Sequence, residues 1–191
     1  MATQSIKALI PQSEIIYGPV RSKRFGLLLG INLLPSTTKL CSFNCLYCKF
    51  GWTPKPTLSL NYQSHDLPRP KEISAALERS LRETILRGTN INAIIFSGNG
   101  EPTLYPELTE IFDRVKTLRN IYVPQARLVI LSNSSTVGHK EVQEALEMLD
   151  MRVMKLDAGS EELMHQLNGP VQPFYLNEIV AGLKKLKEVT L

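Results

Sequence analysis

Cysteine is scarce in this sequence: only three of its 191 residues are cysteine, and all three fall in one short run. The run reads Cys41-Ser42-Phe43-Asn44-Cys45-Leu46-Tyr47-Cys48, a C-x3-C-x2-C spacing with an aromatic residue before the last cysteine. An odd number of cysteines packed so closely argues against a disulfide framework. A ferredoxin-type electron carrier uses four cysteines for each cluster, so the count argues against that class as well.

Long apolar runs are also missing. The first residues do not contain the apolar stretch of a signal peptide, and nothing approaches the roughly 18 apolar residues of a membrane span. We therefore expect a cytoplasmic protein with no membrane partner. The net charge is only +4. Of the two densest basic runs, residues 184–187 fit a solvated helix face, whereas residues 21–24 are a candidate anion contact.

The three cysteines allow several kinds of site. Three thiolates can bind three corners of a four-iron cluster, which leaves one iron open to a small molecule. A Cys3His zinc site needs a histidine brought in by the fold, and the sequence offers His65, His139 and His165. Three buried structural cysteines are the remaining alternative.

Apolar runs alternate with helical periodicities from residue 26 onwards. The sequence predicts strands at residues 26–34, 92–96, 127–131 and 152–156, with a candidate extra strand at 57–62. Apolar spacing predicts helices at residues 73–85, from 106 to about 115, at 142–149, and from near 173 to 186. This alternation indicates an α/β fold with a parallel sheet and right-handed crossovers.

Polar residues follow every predicted strand. They are the cysteine run, then residues 97–103, 132–135 and 155–159. Because ligands bind at the carboxyl ends of parallel strands, this pattern predicts a ligand site at that edge. The simpler alternatives are that Ser132 and Asn133 cap a turn, and that Lys155 and Asp157 pair with each other.

These motifs resemble the radical S-adenosylmethionine (SAM) superfamily. Cys41, Cys45 and Cys48 with Tyr47 are similar to its C-x3-C-x-aromatic-C signature. Residues 97–102 resemble its Gly-Gly-Glu motif, with Asn99 between the two glycines. Residues 17–26 and 155–159 resemble an iron–sulfur oxidoreductase subgroup related to wybutosine-type tRNA-modifying enzymes.

The resemblance implies a [4Fe–4S] cluster on Cys41, Cys45 and Cys48, with SAM bound at the open iron. Reductive cleavage of SAM would give a 5′-deoxyadenosyl radical that abstracts hydrogen from an unknown substrate, with a tRNA base or a protein as candidates. A flavodoxin- or ferredoxin-type donor would supply the electron. The SAM-binding residues so implied are Gly98, Gly100 and Glu101 at the methionine amino group, with Asn99 in the same motif, Tyr47 near the adenine, and Ser132 or Asn133 near the ribose. Lys155 and Asp157 would contact the carboxylate or ribose, or act in the substrate pocket.

The family usually forms a six-stranded partial TIM barrel. We therefore expect residues 25–191 to supply about four βα units of such a barrel, incomplete at the C-terminus, after an N-terminal leader at 1–24. Residues 189–191 resemble the opening of a fifth strand. Two other functions stay open: a non-catalytic, metal-stabilised α/β module or remnant completed by a partner, and an activase of glycyl-radical enzymes.

Overall fold

The structure is a computed structural model that describes residues 13–54, 56–60, 67–170 and 175–191. Strands and helices alternate along most of the chain. In order they are β1 (Ile16–Ser22), β2 (Gly26–Ile31), α1 (Pro70–Leu86), β3 (Ala93–Phe96), a short 3-10 helix (Pro102–Leu104), α2 (Leu108–Tyr122), β4 (Arg127–Ser132), α3 (Lys140–Leu146), β5 (Met151–Met154), α4 (Glu161–Asn168) and α5 (Leu176–Leu183).

The five strands form one sheet in the order β1-β2-β3-β4-β5. β1 runs antiparallel to β2, whereas β2, β3, β4 and β5 run parallel to one another. This mixed α/β architecture is compatible with a partial βα barrel, and it confirms the fold class predicted from the sequence. Because the four parallel strands point the same way, their carboxyl ends lie along one edge.

The helices cover one face of the sheet. Buried side chains of α1 to α5 join Ile94, Phe96, Leu128 and Ile130 in the main core. Side chains alternate along a strand, so Ala93, Ile95, Val129 and Val153 face the other way and form a second cluster with Phe25 and Leu28. That second cluster contains no helix residue, as expected for the inner face of a curved sheet.

α1 illustrates why the helices form where they do. Pro70 occupies its first turn, and the Glu72 carboxylate accepts a hydrogen bond from the Arg69 backbone N–H at 2.8 Å. Ile73, Leu77 and Leu81 recur at helical spacing and are fully buried. The periodic apolar stripe that predicted this helix is therefore the stripe that packs against the sheet.

β1 lies within the stretch predicted to be a leader, and the sequence pattern does not indicate a strand there. Gly18 and Pro19 interrupt its pattern, and the pairing register shifts between Tyr17 and Val20. A proline is tolerated there because β1 is an edge strand. Residues 16–22 are thus part of the sheet, joined to β2.

α4 was also missed, since only Met164 and Asn168 are buried on it and its apolar stripe is too narrow to see. β2 and β5 end at Ile31 and Met154, earlier than predicted. α2 begins at Leu108 rather than residue 106, and α3 ends at Leu146 rather than residue 149.

Two further expectations concern the edges of the fold. Residues 57–60 form no strand, and residues 61 and 62 of the candidate extra strand lie outside the described residues, as does residue 173. Thr190 forms a parallel bridge with Val153, its N–H donating to the Arg152 carbonyl at 2.9 Å. The segment expected to open a fifth parallel strand therefore pairs with β5.

Among the described residues, none of the helices has the length and apolar character to cross a bilayer.

Candidate active site

The cysteine loop, residues 40–48, closes over the carboxyl ends of the strands. Its first residue, Leu40, forms a parallel β-bridge with Gly100. The Leu40 N–H donates to the Asn99 carbonyl at 2.9 Å, and the Glu101 N–H donates to the Leu40 carbonyl at 3.0 Å. Gly100 has φ +139, and a Cβ there would lie 1.7 Å from the Leu40 carbonyl oxygen. Glycine is required at this position for the loop to approach β3 so closely.

The end of β4 holds the loop on a second side. The hydroxyls of Ser42 and Ser135 share a hydrogen bond of 2.6 Å. The Asn133 side-chain amide donates to the Ser42 hydroxyl at 2.9 Å and lies 3.6 Å from the Cys41 sulfur. The turn after β4 thus contacts both the cysteine and its neighbour.

The end of α4 holds the loop on a third side. The Asn44 N–H donates to the Asn168 carbonyl at 2.8 Å, and the Leu46 N–H donates to the Leu167 carbonyl at 2.9 Å. The Asn168 side-chain amide reaches the Cys45 sulfur at 3.4 Å. Asn168 lies outside every predicted motif, because a lone asparagine has no spacing that distinguishes it. Ser42 and Ser135 lie inside the predicted polar segments, but the sequence did not indicate their contact.

The three cysteines are free thiols; Cys41 is buried, and Cys45 and Cys48 are half-buried. Burial, followed by the nearby Glu101 carboxylate, raises the pKa of the Cys41 thiol to about 12. Cys41 is therefore protonated near neutral pH in the apoprotein. Binding of iron would displace that proton, since only a thiolate ligates a metal.

The cysteine loop carries the donor type of an iron–sulfur cluster, with three cysteines within eight residues. In the described part of the chain, no three His, Cys, Asp or Glu side chains are gathered closely enough to chelate one metal ion. Amide donors at the sulfurs of Cys41 and Cys45 also suit a cluster, whose thiolates accept hydrogen bonds.

Neither of the two histidines that the structure describes joins the cysteines in a group that could bind zinc. His139 is exposed at the start of α3, and His165 is exposed on α4. His65 lies outside the described residues.

Glu101 is fully buried beside the loop and accepts four hydrogen bonds. Its Oε1 accepts from the Thr103 N–H at 3.1 Å, the Thr103 hydroxyl at 2.6 Å and the Ser132 hydroxyl at 2.8 Å. Its Oε2 accepts from the Asn133 N–H at 2.6 Å. Burial raises the pKa of this carboxyl, and these hydrogen bonds only partly oppose that effect. Glu101 therefore joins β3 to β4 directly below the loop.

Gly98 and Asn99 are packed against the end of β2. The Asn32 Oδ1 accepts from the Asn99 N–H at 3.1 Å, and a Cβ on Gly98 would lie 2.2 Å from the same oxygen. The Asn99 side chain, fully buried, donates to the Pro35 carbonyl at 2.8 Å. The Asn99 side chain therefore contributes to the shape of this turn, and Asn32 is a supporting residue that sequence analysis missed.

Lys155, Tyr47 and Asp157 meet at the exposed rim of the site. The Lys155 ammonium donates to the Tyr47 hydroxyl at 2.7 Å and lies 4.1 Å from the centre of its ring. The Tyr47 hydroxyl in turn donates to the Asp157 carboxylate. The Lys155 Nζ lies 3.6 Å from the Asp157 Oδ2, so the ion pair given as the simpler alternative is present.

The rim presents both signs of charge. Burial, with hydrogen bonds to Asp157 and Cys45, raises the pKa of Tyr47, so the phenol stays protonated. Burial works to raise the pKa of Asp157, but hydrogen bonds from Tyr47 and Asn168 and the nearby Lys155 outweigh it and lower that pKa. An ammonium and a carboxylate side by side suit a zwitterionic ligand that carries hydroxyl groups.

The predicted site residues therefore come together from the cysteine loop and the ends of β3, β4 and β5. Asn133 contacts Cys41, Ser42 and Glu101 at once, and Tyr47 reaches from the loop to the end of β5. Eleven of the twelve predicted residues lie at this edge of the sheet: Cys41, Cys45, Tyr47, Gly98, Asn99, Gly100, Glu101, Ser132, Asn133, Lys155 and Asp157. The twelfth, Cys48, follows in the loop, where its N–H donates to the Cys45 carbonyl at 3.0 Å.

Several curated proteins are similar to this chain. A "UPF0026 protein" of Helicobacter pylori is 31% identical over 92% of this chain and 52% of its own length. A "GTPase Obg" of Brachyspira hyodysenteriae is 33% identical over 93% of this chain but only 24% of its own length. A "probable GTP 3′,8-cyclase" of Methanococcus aeolicus is 30% identical over 80% of this chain and 47% of its own length.

The chain thus spans about a quarter of the length of the Brachyspira relative and about half the length of each of the other two. The family model of the radical SAM superfamily matches residues 36–191, which include the cysteine loop and β3, β4 and β5 with the turns that follow them. Membership of this family implies SAM and an iron–sulfur cluster as cofactors. On that match, the chain belongs to the radical SAM superfamily.

Proposed function

We propose that this protein is a cytoplasmic radical SAM enzyme in which Cys41, Cys45 and Cys48 hold three irons of a [4Fe–4S] cluster. Such a cluster, with SAM on its fourth iron and one electron from a flavodoxin- or ferredoxin-type donor, supplies a 5′-deoxyadenosyl radical for hydrogen abstraction. The observation that carries the proposal is the position of Asn133, which contacts Cys41 in the loop and Glu101 in the adjoining turn. That contact supports the proposal because it joins a proposed cluster ligand to the polar strand ends.

In this proposal the chain's own residues orient SAM. Gly98, Asn99, Gly100 and Glu101 surround the methionine amino group. Lys155 and Asp157 bind the carboxylate or the ribose, and Tyr47 lies along the adenine. Ser132 and Asn133 hold Glu101 in place and lie near the ribose.

Anaerobic reconstitution tests the proposal. The wild-type protein should take up the iron and sulfide of one [4Fe–4S] cluster per chain, and with dithionite and SAM it should release 5′-deoxyadenosine. Cys45→Ala should lose the cluster and the product together. Ser36→Ala, an exposed position before the loop, is the matched control and should behave as wild type. A colourless protein that binds one zinc ion would contradict the proposal.

We propose tRNA as the substrate class. The net charge of +4 supports it, as do two exposed cationic side chains, Arg21 at the end of β1 and Lys23 in the turn between β1 and β2. That turn lies at the opposite edge of the sheet from the cysteine loop, so these side chains would hold the backbone of a ligand large enough to reach both edges. Phosphate contacts of this kind make affinity fall steeply with salt.

The salt dependence of tRNA binding tests this step. Arg21→Ala with Lys23→Ala should reduce the slope of log affinity against log salt by about two, one for each lost phosphate contact. Lys184→Ala with Lys185→Ala, in the exposed basic run after α5, is the matched control and should leave the slope unchanged. An absence of salt-dependent binding by the wild-type protein would exclude tRNA.

A further inference from the structure

Asn168, the last residue of α4, is a buried amide that the sequence motifs do not include. It is 3% exposed. Its Nδ2 lies 3.4 Å from the Cys45 sulfur, 3.0 Å from the Tyr47 hydroxyl oxygen and 2.8 Å from an Asp157 carboxylate oxygen. One amide therefore contacts a cysteine, the aromatic residue of the cysteine loop and the acid after β5.

The chain around Asn168 fixes where its side chain lies. Residues 167–170 run antiparallel to residues 43–46, through the hydrogen bonds of Asn44 and Leu46 and a bridge between Phe43 and Pro170. Gly169 ends α4 in the left-handed region with φ +50, and a Cβ there would lie 3.1 Å from the Asn44 carbonyl oxygen. The helix thus stops where its final side chain can turn toward the loop.

We propose that Asn168 is a positioning residue of the cysteine loop, whose amide orients the Cys45 sulfur and donates an N–H to it. This inference rests on the proposed function, because its consequence appears when Cys45 holds iron. A hydrogen bond to a ligating sulfur stabilises the additional negative charge of the reduced cluster and so raises its reduction potential. Asn133, 3.6 Å from the Cys41 sulfur, is a weaker counterpart on the other side.

The apoprotein gives the first test, which needs no cluster. In Asn168→Ala the N–H of Leu46, which donates to the Leu167 carbonyl, should exchange with deuterium about tenfold faster, since the side chain no longer holds loop and helix together. Gln166→Ala removes an exposed amide from the same helix and is the matched control; its exchange should equal that of wild type. Unchanged exchange at Leu46 in Asn168→Ala would overturn the positioning role.

The reconstituted protein gives the second test, a potentiometric titration of the cluster followed by electron paramagnetic resonance. Asn168→Ala should shift the reduction potential to a more negative value. Asn168→Asp, which keeps the shape but places a carboxylate beside the sulfur, should shift it further, and Gln166→Ala should not shift it. Loss of the cluster in both Asn168 variants but not in Gln166→Ala would also support the role.

The two proposals fail in different ways. If the Asn168 variants hold an intact cluster at the wild-type potential, the inference is wrong and the proposed function stands. If the wild-type protein assembles no cluster, the proposed function is wrong, and exchange at Leu46 alone decides whether Asn168 positions the loop. Circular dichroism of each variant separates a local effect from failure to fold.

Discussion

The hydroxyl oxygens of Ser42 and Ser135 lie 2.6 Å apart, although 93 positions separate these residues in the chain. Both residues are buried. Their hydrogen bond joins the cysteine loop to the turn after β4 without any charged group. The loop is thus anchored by neutral hydrogen bonds that are already present in the apoprotein.

A double-mutant cycle measures this anchor. Ser42→Ala and Ser135→Ala should each lower the free energy of unfolding by about 1–2 kcal/mol. Ser42→Ala takes a partner from the Ser135 hydroxyl and from the Asn133 amide, and Ser135→Ala leaves the Ser42 hydroxyl with the Asn133 amide alone. The double variant should lose about 1 kcal/mol less than the sum of the two, since no orphaned hydroxyl remains. Urea unfolding of the apoproteins measures all four values, and strict additivity would show that the bond contributes nothing.

The sequence predicted the parts of this site that repeat or stand out chemically. Apolar runs located β2 to β5, and polar residues after each of them located the edge where Glu101, Asn133 and Lys155 meet. The edge strand β1 escaped because its pattern is interrupted by Gly18 and Pro19. Periodicity fails where a strand is exposed on one side and bulged.

The residues that hold the loop could not be predicted from the sequence. Ser42, Ser135 and Asn168 act through contacts between segments far apart in the chain. Such contacts depend on where a turn or helix ends in space, for example on Gly169 at the end of α4. A local pattern does not carry that information.

Gly100 should be the least replaceable glycine of the site. In Gly100→Ala a Cβ would collide with the Leu40 carbonyl and the residue would keep an unfavourable positive φ. We expect a loss of more than about 3 kcal/mol in the free energy of unfolding, together with detachment of the cysteine loop from β3. Gly138→Ala, with open space around its Cβ, is the control and should change the free energy by less than about 0.5 kcal/mol. Equal effects of the two substitutions, measured by urea unfolding, would contradict this account.

Glu101 should make stability depend on pH. Burial raises its pKa above the ordinary value of 4.5, so between 4.5 and the raised pKa the folded protein binds a proton that the unfolded chain releases. The free energy of unfolding should therefore fall as pH rises through that window, by up to about 1.4 kcal/mol per pH unit. Below pH 4.5 both states are protonated and this contribution is constant.

Glu101→Gln should remove that slope. The Cys41 thiol does not contribute to it, because its pKa of about 12 keeps it protonated throughout the window. Glu107→Gln, an exposed carboxyl before α2, is the matched control and should keep the wild-type slope. Urea unfolding of the apoproteins at several pH values gives the comparison, and parallel curves for wild type and Glu101→Gln would show that Glu101 does not titrate in this range.

Arg152 should be the most important charged side chain for the edge of the sheet. Its guanidinium is buried and donates to three backbone carbonyls: Nε to Glu188 at 2.7 Å, and Nη1 to Leu146 at 2.9 Å and to Leu149 at 2.7 Å. Arg152→Ala should lower the free energy of unfolding by about 3 kcal/mol, since these acceptors lose a charged donor. It should also release the pairing of Thr190 with β5, which is visible as faster amide exchange at Thr190.

Arg152→Lys tests whether charge alone suffices at this position. An ammonium is a single point of donation and cannot reproduce the fork that reaches carbonyls on both sides, so Lys should recover less than half of the loss. Arg127→Ala, at the exposed first residue of β4, is the matched control and should cost less than about 0.5 kcal/mol. Full recovery by Lys would mean that the edge is held by the charge of residue 152 rather than by the geometry of its hydrogen bonds.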